Sequence, residues 1–430
     1  MTGDRQDQYP LSWYAATRAA GPAAPAFEGD IQASVCIVGG GYSGLAAALR
    51  LAERGVDAVL LEAGPVGWGA SGRNGGQIHV GMRQEQAWLE DKVGRDDAAH
   101  LWRIAIDARD HLDALVADHA IDCDLRTGYL HADHKPRYVP DTRANVELLN
   151  TRYDYDQIRF VGRDEVHALV AGGAYHGGSI DARGGQLNPL SLALGMARAA
   201  EAAGATLHAH SAATAIDRAG PGWRVQTATG SVTAETVLLA CGGYLRGLDA
   251  AVDARVMPIN NYVAVTAPLG AERAAAIIRD GLAVSDSRFV VYYYRMTPDH
   301  RLLFGGGESY SYRFPSDIAG FVRPHLARVF PQLAEVAIDY AWGGTLSITA
   351  SRLPFVRQLR RGVYNVSGLS GLGVVLAPYF GKILGDAIAG GAADFDRLAR
   401  LPVPRLPGGR LLRWPSMVAA MSFYALRDRL

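Results

Sequence analysis

At 430 residues the chain exceeds one compact unit, since about 100–200 residues per domain is typical, and two domains are expected. Its 43 Lys and Arg against 43 Asp and Glu leave no net field to attract nucleic acid or an anionic membrane, and 49% hydrophobic with 20% charged residues excludes bulk disorder. Three cysteines without a CxxC pair exclude a disulfide framework, the N-terminus lacks a secretory apolar core, and no apolar run reaches the ~18 residues of a membrane helix, so a cytoplasmic protein without a membrane span is expected.

Residues 33–39, ASVCIVG, are apolar and β-branched and predict a buried strand of a parallel sheet. From Ser43 the apolar residues Leu45, Leu49, Leu51 and Ala52 recur at helical spacing until Gly55 closes the helix. Residues 56–62, VDAVLLE, read as a second strand, so strand, Gly-rich turn, helix and strand form a βαβ unit. Residues 64–77 hold six glycines in fourteen positions, which makes them either a ligand-approaching loop or a disordered one. Then follow a helix over 95–120, a strand over 124–131, a polar helical connection over 136–160, and a helix over 190–203 stopped by Gly204. Residues 205–216, 223–228 and 231–240 predict three short strands in a hairpin layer. Stretches 258–266, 288–297, 301–306 and 338–345, rich in Tyr, Val and Phe, predict an antiparallel sheet, and 368–389 a Gly-rich turn running into a helix. The expected organisation is α/β: an N-terminal segment 1–31, a discontinuous Rossmann-like dinucleotide domain of 32–94, 161–256 and 346–395, a substrate domain of 95–160 and 257–345, and a tail, 396–430, packed on the body. The tail's apolar run 413–424 lacks the basic face of a membrane-surface helix.

Fifty glycines, about 12% against a typical ~7%, ask for sharp turns and close approach to a ligand. Gly39-Gly-Gly41-Tyr-Ser-Gly44 is GxGxxG in the context that gives it meaning, between a predicted strand and a predicted helix. Gly39 permits the tight turn, Gly41 lets backbone N–H groups reach a pyrophosphate, and Gly44 packs helix on strand. Glu62 ends the second strand, 18 residues past Gly44, where a carboxylate accepts from ribose hydroxyls. NAD and FAD both use this fingerprint. His79, His131, His176 and His300 are scattered without HxH or HExxH spacing, so no metal site is expected.

The choice between cofactors comes from a resemblance. The segment Ser12-Trp-Tyr-Ala-Ala16, the unit 35–45, Val66-Gly-Trp-Gly-Ala-Ser-Gly-Arg-Asn-Gly-Gly-Gln77, Tyr293-Tyr-Arg295, Arg301-Leu-Leu-Phe-Gly-Gly-Gly307, Ser351-Arg-Leu-Pro354, Gly368-Leu-Ser-Gly-Leu-Gly373, Pro407-Gly-Gly-Arg410 and residues 424–430 together resemble the D-amino-acid-oxidase-like superfamily of FAD oxidoreductases, in its gamma-glutamylputrescine oxidase branch. The resemblance implies FAD, held non-covalently by Gly39, Gly41, Tyr42, Ser43, Gly44, Glu62 and Ala63, by Ser71, Gly72, Arg73, Asn74, Gly76 and Gln77 along the flavin and pyrophosphate, by Ala213 at the adenine and Gly242 in an Ala-Cys-Gly-Gly turn, and by Arg352, Gly368, Ser370, Gly371, Gly373 and Val374 near the flavin ring. The helix dipole behind Gly368 to Gly373 would favour negative charge on reduced flavin.

On the substrate side the resemblance places Tyr293 over the flavin and Glu308 at the cavity, with Arg295 sharing the face of Tyr293 by period two. Departures also matter. Leu346 stands four residues after Trp342 where amino-acid-oxidising branches carry an arginine carboxylate clamp, and Gly371 and Val375 replace the clamps of other branches. Gly344 replaces the cysteine that sarcosine oxidases link to FAD, and Leu303 their oxygen-activating lysine. The expected activity is therefore oxidation of a gamma-glutamylputrescine-like primary or secondary amine to an imine that hydrolyses to aldehyde plus ammonia, with O2 reduced to H2O2. Trp342 and Tyr293 would supply apolar walls, and Arg295 or Arg352 would meet a distant carboxylate. Alternatives are a cyclic or secondary amino-acid oxidase or dehydrogenase clamping its substrate through Arg352, and a non-catalytic flavin-binding subunit. The expected partners are a small-molecule amine and O2, in a monomer or small homo-oligomer.

Overall fold

A computed structural model describes residues 6–408 apart from 246, 309–312 and 392, together with 415 and 418. The sequence expectations for 413–424 and for the motifs from 409 onward fall almost wholly outside the described residues.

The apolar strand Gly29–Val38 lies at the centre of the first sheet, parallel to Ala58–Leu61 on one side and to Gly230–Leu239 on the other. Thr206–His208 extends one edge in parallel, while Val363–Ser367 and then Phe355–Arg360 extend the other, the last pair antiparallel. The buried apolar ends of these strands, residues 35–38 and Ala58–Leu61, need cover on both faces. The helix Tyr42–Glu53 supplies part of that cover and packs in turn on Gly373–Ile388, where a Cβ on Gly381 would lie 2.3 Å from Ser43 O. The glycine lets the two helix backbones approach closely. Gly55 and Gly204, at φ +70° and +102°, end their helices as expected.

Residues 205–216 form two elements, which corrects the single strand expected there. Thr206–His208 completes the parallel sheet, and only Ala215–Ala219 joins the hairpin with Gly222–Gln226. Gly230–Leu239 belongs to both, because its first half pairs with the hairpin while its whole length pairs with Gly29–Val38.

The second sheet runs in the order Ile338–Thr349, Val256–Thr266, Leu302–Glu308, Tyr293–Met296, Ala283–Asp286, Arg126–Ala132, Gly177–Gln186 and Gln77–Ile78, with Ile158–Gly162 also paired to 177–186. It is antiparallel except where Ala283–Asp286 meets Arg126–Ala132. Gly177–Gln186, GGSIDARGGQ, sits inside this sheet, although the sequence reading groups 161–256 with the dinucleotide domain and finds no strand there. Its glycines hide it from a β-propensity reading. They are required because a Cβ on Gly178 would lie 2.1 Å from His131 O and one on Gly185 2.0 Å from Arg126 O. Likewise the 136–160 connection holds a helix, Val139–Arg152, and then a strand, Ile158–Gly162.

Each sheet carries its own apolar core, one centred on Ile37, Leu60 and Leu238 and the other on Leu130, Tyr294 and Phe304. From the 396–430 tail, Leu398, Leu401, Val403 and Leu406 are buried, and Arg357 Nε donates to Ala399 O at 3.0 Å. No helix among the described residues is long and apolar enough to cross a membrane.

Candidate active site

The GxGxxG turn joins the central strand to its helix. Gly39 takes φ +113°, and a Cβ there would lie 2.7 Å from Ala240 O; on Gly44 it would lie 1.9 Å from Gly39 O. Neither position admits a side chain. The helix that follows is capped by Gly41, which offers no side-chain oxygen, so the N–H groups of its first turn beyond Tyr42 are available to an anion. Tyr42 donates its backbone N–H to Ser71 Oγ (3.0 Å) and its buried hydroxyl to Pro189 O (2.8 Å), so its ring anchors the helix, with Ser43 buried beside it.

Glu62 stands at the end of the neighbouring strand, before Ala63. Its Oε2 accepts from Gly40 N–H at 2.6 Å and Oε1 from Gly64 N–H at 2.9 Å. Burial holds its carboxyl above the usual carboxylate range, while these backbone bonds pull it back. The carboxylate thus braces the turn, and its remaining lone pairs are available to ribose hydroxyls. Ala213 is half-buried on the first core, and Gly242 opens a short turn at φ +54°. Cys241 Sγ donates to Val38 O at 3.3 Å, and burial, with Glu62 nearby, pushes the thiol up to about 12.

The loop 64–77 is ordered by its own hydrogen bonds, which decides between the two readings of its glycines. Asn74 Nδ2 donates to Ala70 O and Ser71 O, its Oδ1 accepts from Gly76 N–H, and Gln77 Nε2 donates to Val284 O. Arg73 is buried, donates from Nε to Trp68 O (2.6 Å) and from Nη1 to Gly343 O (3.1 Å), and stacks 4.1 Å from the Trp68 ring centroid. It ties the loop to the second sheet. Gly72 and Gly76 are obligatory here, because a Cβ would lie 2.3 Å from Gly67 O in the first case and 2.1 Å from Leu187 O in the second.

Across from this loop, Gly368, Ser370 and Gly371 all take positive φ, at +71°, +52° and +102°. Ser347 O accepts from Ser370 N–H at 3.0 Å, and space is open where a Cβ on Gly371 would stand. The helix beginning at Gly373 is capped by Leu372, again without a side-chain oxygen, so a second helix N-terminus is left with free donors, with Val374 beside it.

Between the two glycine-rich turns lies a cavity of about 610 Å³, lined by Ala70, Asn74, Gly75, Gln77, Gly344, Ser370, Gly371 and Val374 and continuing along the face of the second sheet. A glycine cradle, two helix N-termini without side-chain caps, a buried carboxylate at the strand end and this cavity fit an extended dinucleotide whose ring end reaches the second sheet.

Tyr293 and Arg352 line the cavity. The Tyr293 hydroxyl donates to Asn261 Oδ1 at 2.5 Å, and its ring edge would lie 2.4 Å from a Cβ on Gly75, so both Gly75 and Gly305 are small to admit it. Arg352, at φ +58°, stacks 4.6 Å from the centroid of Phe289. Two expectations are corrected. Arg295 is 1% exposed and does not reach the cavity: its guanidinium donates to Gly75 O, Leu187 O and Tyr14 OH and holds the glycine loop from beneath. Trp342 is also under the loop, donating Nε1 to Arg73 O at 2.9 Å and meeting Tyr14 edge-on, so it forms no cavity wall. Glu308 pairs with Asn261 at its strand end, and its side chain lies outside the described residues.

Sequence reasoning missed the polar end of the cavity, lined by His79, Glu85, His131, Asp133, Asp141 and the Asp286–Arg288 ion pair. Burial, reinforced by His131, lowers His79 to about 4, and its Nδ1 faces Val80 O at 3.2 Å, leaving Nε2 as an acceptor. The alternation Tyr129, His131, Asp133 is the period-two signal that could have revealed this face. Among the described residues no group of three or more His, Cys, Asp or Glu could hold a metal ion.

A parallel nucleotide sheet joined to an antiparallel sheet, with a cavity between two glycine-rich turns, is the architecture of a dinucleotide-dependent oxidoreductase. Residues 34–387 match the DAO family of FAD dependent oxidoreductases, and the chain belongs to that family. It is 39% identical over 418 residues to OrdL, a probable oxidoreductase of Rhizobium meliloti, covering 97% of each chain. It is 37% identical over 405 residues to the gamma-glutamylputrescine oxidoreductase of Escherichia coli, covering 93% of this chain and 94% of that one. Among solved structures, glycine oxidase from Geobacillus kaustophilus shares the fold with a TM-score of 0.74 at 21% identity, covering 87% of this chain and 99% of that chain. L-proline dehydrogenase from P. horikoshii does so with a TM-score of 0.71 at 18% identity, covering 88% and 96%. The chain is an FAD-dependent oxidoreductase.

Proposed function

We propose that this oxidoreductase is an amine oxidase acting on a gamma-glutamylputrescine-like primary or secondary amine, with FAD held non-covalently and O2 as final acceptor. The observation that carries this reading is the apolar wall beside the Ser370–Gly371 turn, where Ile259, Leu346 and Ile348 face the cavity with Tyr293. A small α-amino acid would need a guanidinium on that wall to fork onto its carboxylate, whereas an amine needs the opposite. An ammonium entering apolar surroundings loses hydration, its pKa falls, and the neutral amine, which is the oxidisable form, is favoured. Kinship over nearly the whole chain with a gamma-glutamylputrescine oxidoreductase supports the same substrate class.

FAD, when bound, supplies the two-electron acceptor for the amine α-carbon. Gly39, Gly41, Gly44 and Glu62 would hold its nucleotide end, and the loop 71–77 with Ser370 and Gly371 its ring end. Tyr293, fixed by Asn261, orients the amine against the loop. Water then releases aldehyde and ammonia from the imine.

A second reading, oxidation of a cyclic or secondary amino acid, rests on Arg352 in the cavity wall. Oxygen uptake and peroxide release, measured with gamma-glutamylputrescine, putrescine, pipecolate and proline, separate the two. Activity on the amines with stoichiometric peroxide supports the proposal. Activity confined to the amino acids, with KM raised by Arg352→Ala, supports the second reading, and turnover only with an artificial acceptor would make the enzyme a dehydrogenase.

A further inference from the structure

The cavity does not end at Tyr293. Pairing registers place Tyr293, Ser285, His131 and Ser179 side by side across four neighbouring strands. Two strand spacings separate Tyr293 from His131, or about 10 Å. Asp133 follows His131 by two residues and stays extended, since its N–H donates to Gly177 O at 2.8 Å, so it lies on the same side of the sheet.

Asp133 is 0% exposed and lines the cavity. Its Oδ1 accepts from Thr142 Oγ1 at 2.8 Å and faces His131 Nε2 at 3.5 Å, but its Oδ2 has no hydrogen-bond partner among the described residues. A buried carboxylate oxygen without a donor is costly unless something else completes it. Glu85 and Asp141 line the same lobe. Of the lobe's other acids, Asp286 is paired with Arg288, and Asp181 accepts from the Tyr155 hydroxyl and two backbone N–H groups. Against Glu85, Asp133 and Asp141 the same wall sets Arg83, with His79 and His131 as its histidines, so the lobe is electronegative. The coupling is visible in Glu85, which burial, then Asp141 and Asp133, push above the usual carboxylate range while His131 and Arg83 oppose the shift.

We propose that this lobe is a subsite for an ammonium group on the substrate's tail, bound by Asp133 with Glu85 and Asp141 around it. The inference rests on the amine-oxidase reading and sharpens it: the substrate carries a second protonated nitrogen on the order of 10 Å from the one oxidised, two strand spacings away. Monoamines of equal length would lack the contact.

Calorimetric titration of the anaerobic holoenzyme, its flavin reduced beforehand with dithionite, with α,ω-octanediamine and with octylamine, which differ only in the terminal ammonium, tests this without oxidising the amine. One charge-assisted hydrogen bond to a buried carboxylate predicts about 10–100-fold tighter binding of the diamine, and Asp133→Asn should collapse that ratio towards one. Should Asp133→Asn fail to fold, Asp141→Asn, on the open part of the lobe, should shrink the ratio several-fold. Equal binding of the two amines by the wild type, or a ratio that neither variant changes, would overturn the subsite. Tight, Asp133-dependent diamine binding by a holoenzyme whose oxidised flavin the diamine fails to bleach would keep the subsite and sink the amine-oxidase reading instead.

Discussion

In the first sheet the groups offered to a ligand are backbone: the N–H donors behind Gly41, the turn at Gly39, and a single carboxylate, Glu62, that itself grips backbone. In the second sheet they are side chains drawn from separate strands, Tyr293, His131 and Ser285 among them, with Asp133 just past a strand end. A backbone site tolerates no added atoms but hardly cares about chemistry, whereas a side-chain site tolerates change in shape and none in charge. The nucleotide half should therefore fail by sterics and the substrate half by loss of specific polar groups.

The largest effect that would break this contrast is at Gly44. Gly44→Val places carbon within 1.9 Å of Gly39 O and should give protein without flavin absorbance, or none folded. A Gly44→Val enzyme that retained stoichiometric FAD would remove the steric half of the argument.

Next comes the pair of arginines. Arg295→Met leaves Gly75 O, Leu187 O and Tyr14 OH without their donor in a dry site, and should cost at least about 2 kcal/mol in urea unfolding of the holoenzyme. Arg352→Ala, on the cavity wall, should change stability by less than about 1 kcal/mol. A stable Arg295 variant with raised KM would return that residue to the substrate side.

Tyr293→Phe removes only the hydroxyl that reaches Asn261, so flavin content should be unchanged while kcat/KM falls by about 10-fold, the scale of one hydrogen bond. A separate effect, on stability alone, is that of pH. Burial lowers His79 and His111 to about 4 and His134 to about 3. Each is neutral when folded and takes up a proton more readily when unfolded, so stability is full above the unfolded pKa near 6.5 and is lost as pH falls towards 4. Asp286, which burial raises to about 6, works the other way over this range, but the three histidines outweigh it, so urea midpoints should fall between pH 7 and pH 5; midpoints that rise as pH falls would contradict the buried, neutral histidines.

The same contrast explains what was legible in the sequence. Backbone recognition is written in consecutive residues: Gly39 to Gly44 names its turn because Gly39 and Gly44 leave no room for a Cβ, Gly368 to Gly373 names its own by a run of positive φ, and the βαβ unit follows. The polar lobe is invisible that way, since His79, Glu85, Asp133 and Asp141 come together only once Gly177–Gln186 and Arg126–Ala132 pair. The strand 177–186 was itself hidden, because the glycines that let it nestle against its neighbours erase its β signature. Arg295 misled for a related reason. Period two placed it correctly beside Tyr293 but could not show that the loop 75–76 lies over it and takes its donors.

The most direct test of the central claim is to mix the purified protein, without oxygen, with gamma-glutamylputrescine and follow flavin absorbance. Full, rapid bleaching, with pipecolate and proline leaving the spectrum oxidised, is the predicted result. A flavin reduced by the amino acids and indifferent to the amine would contradict the account.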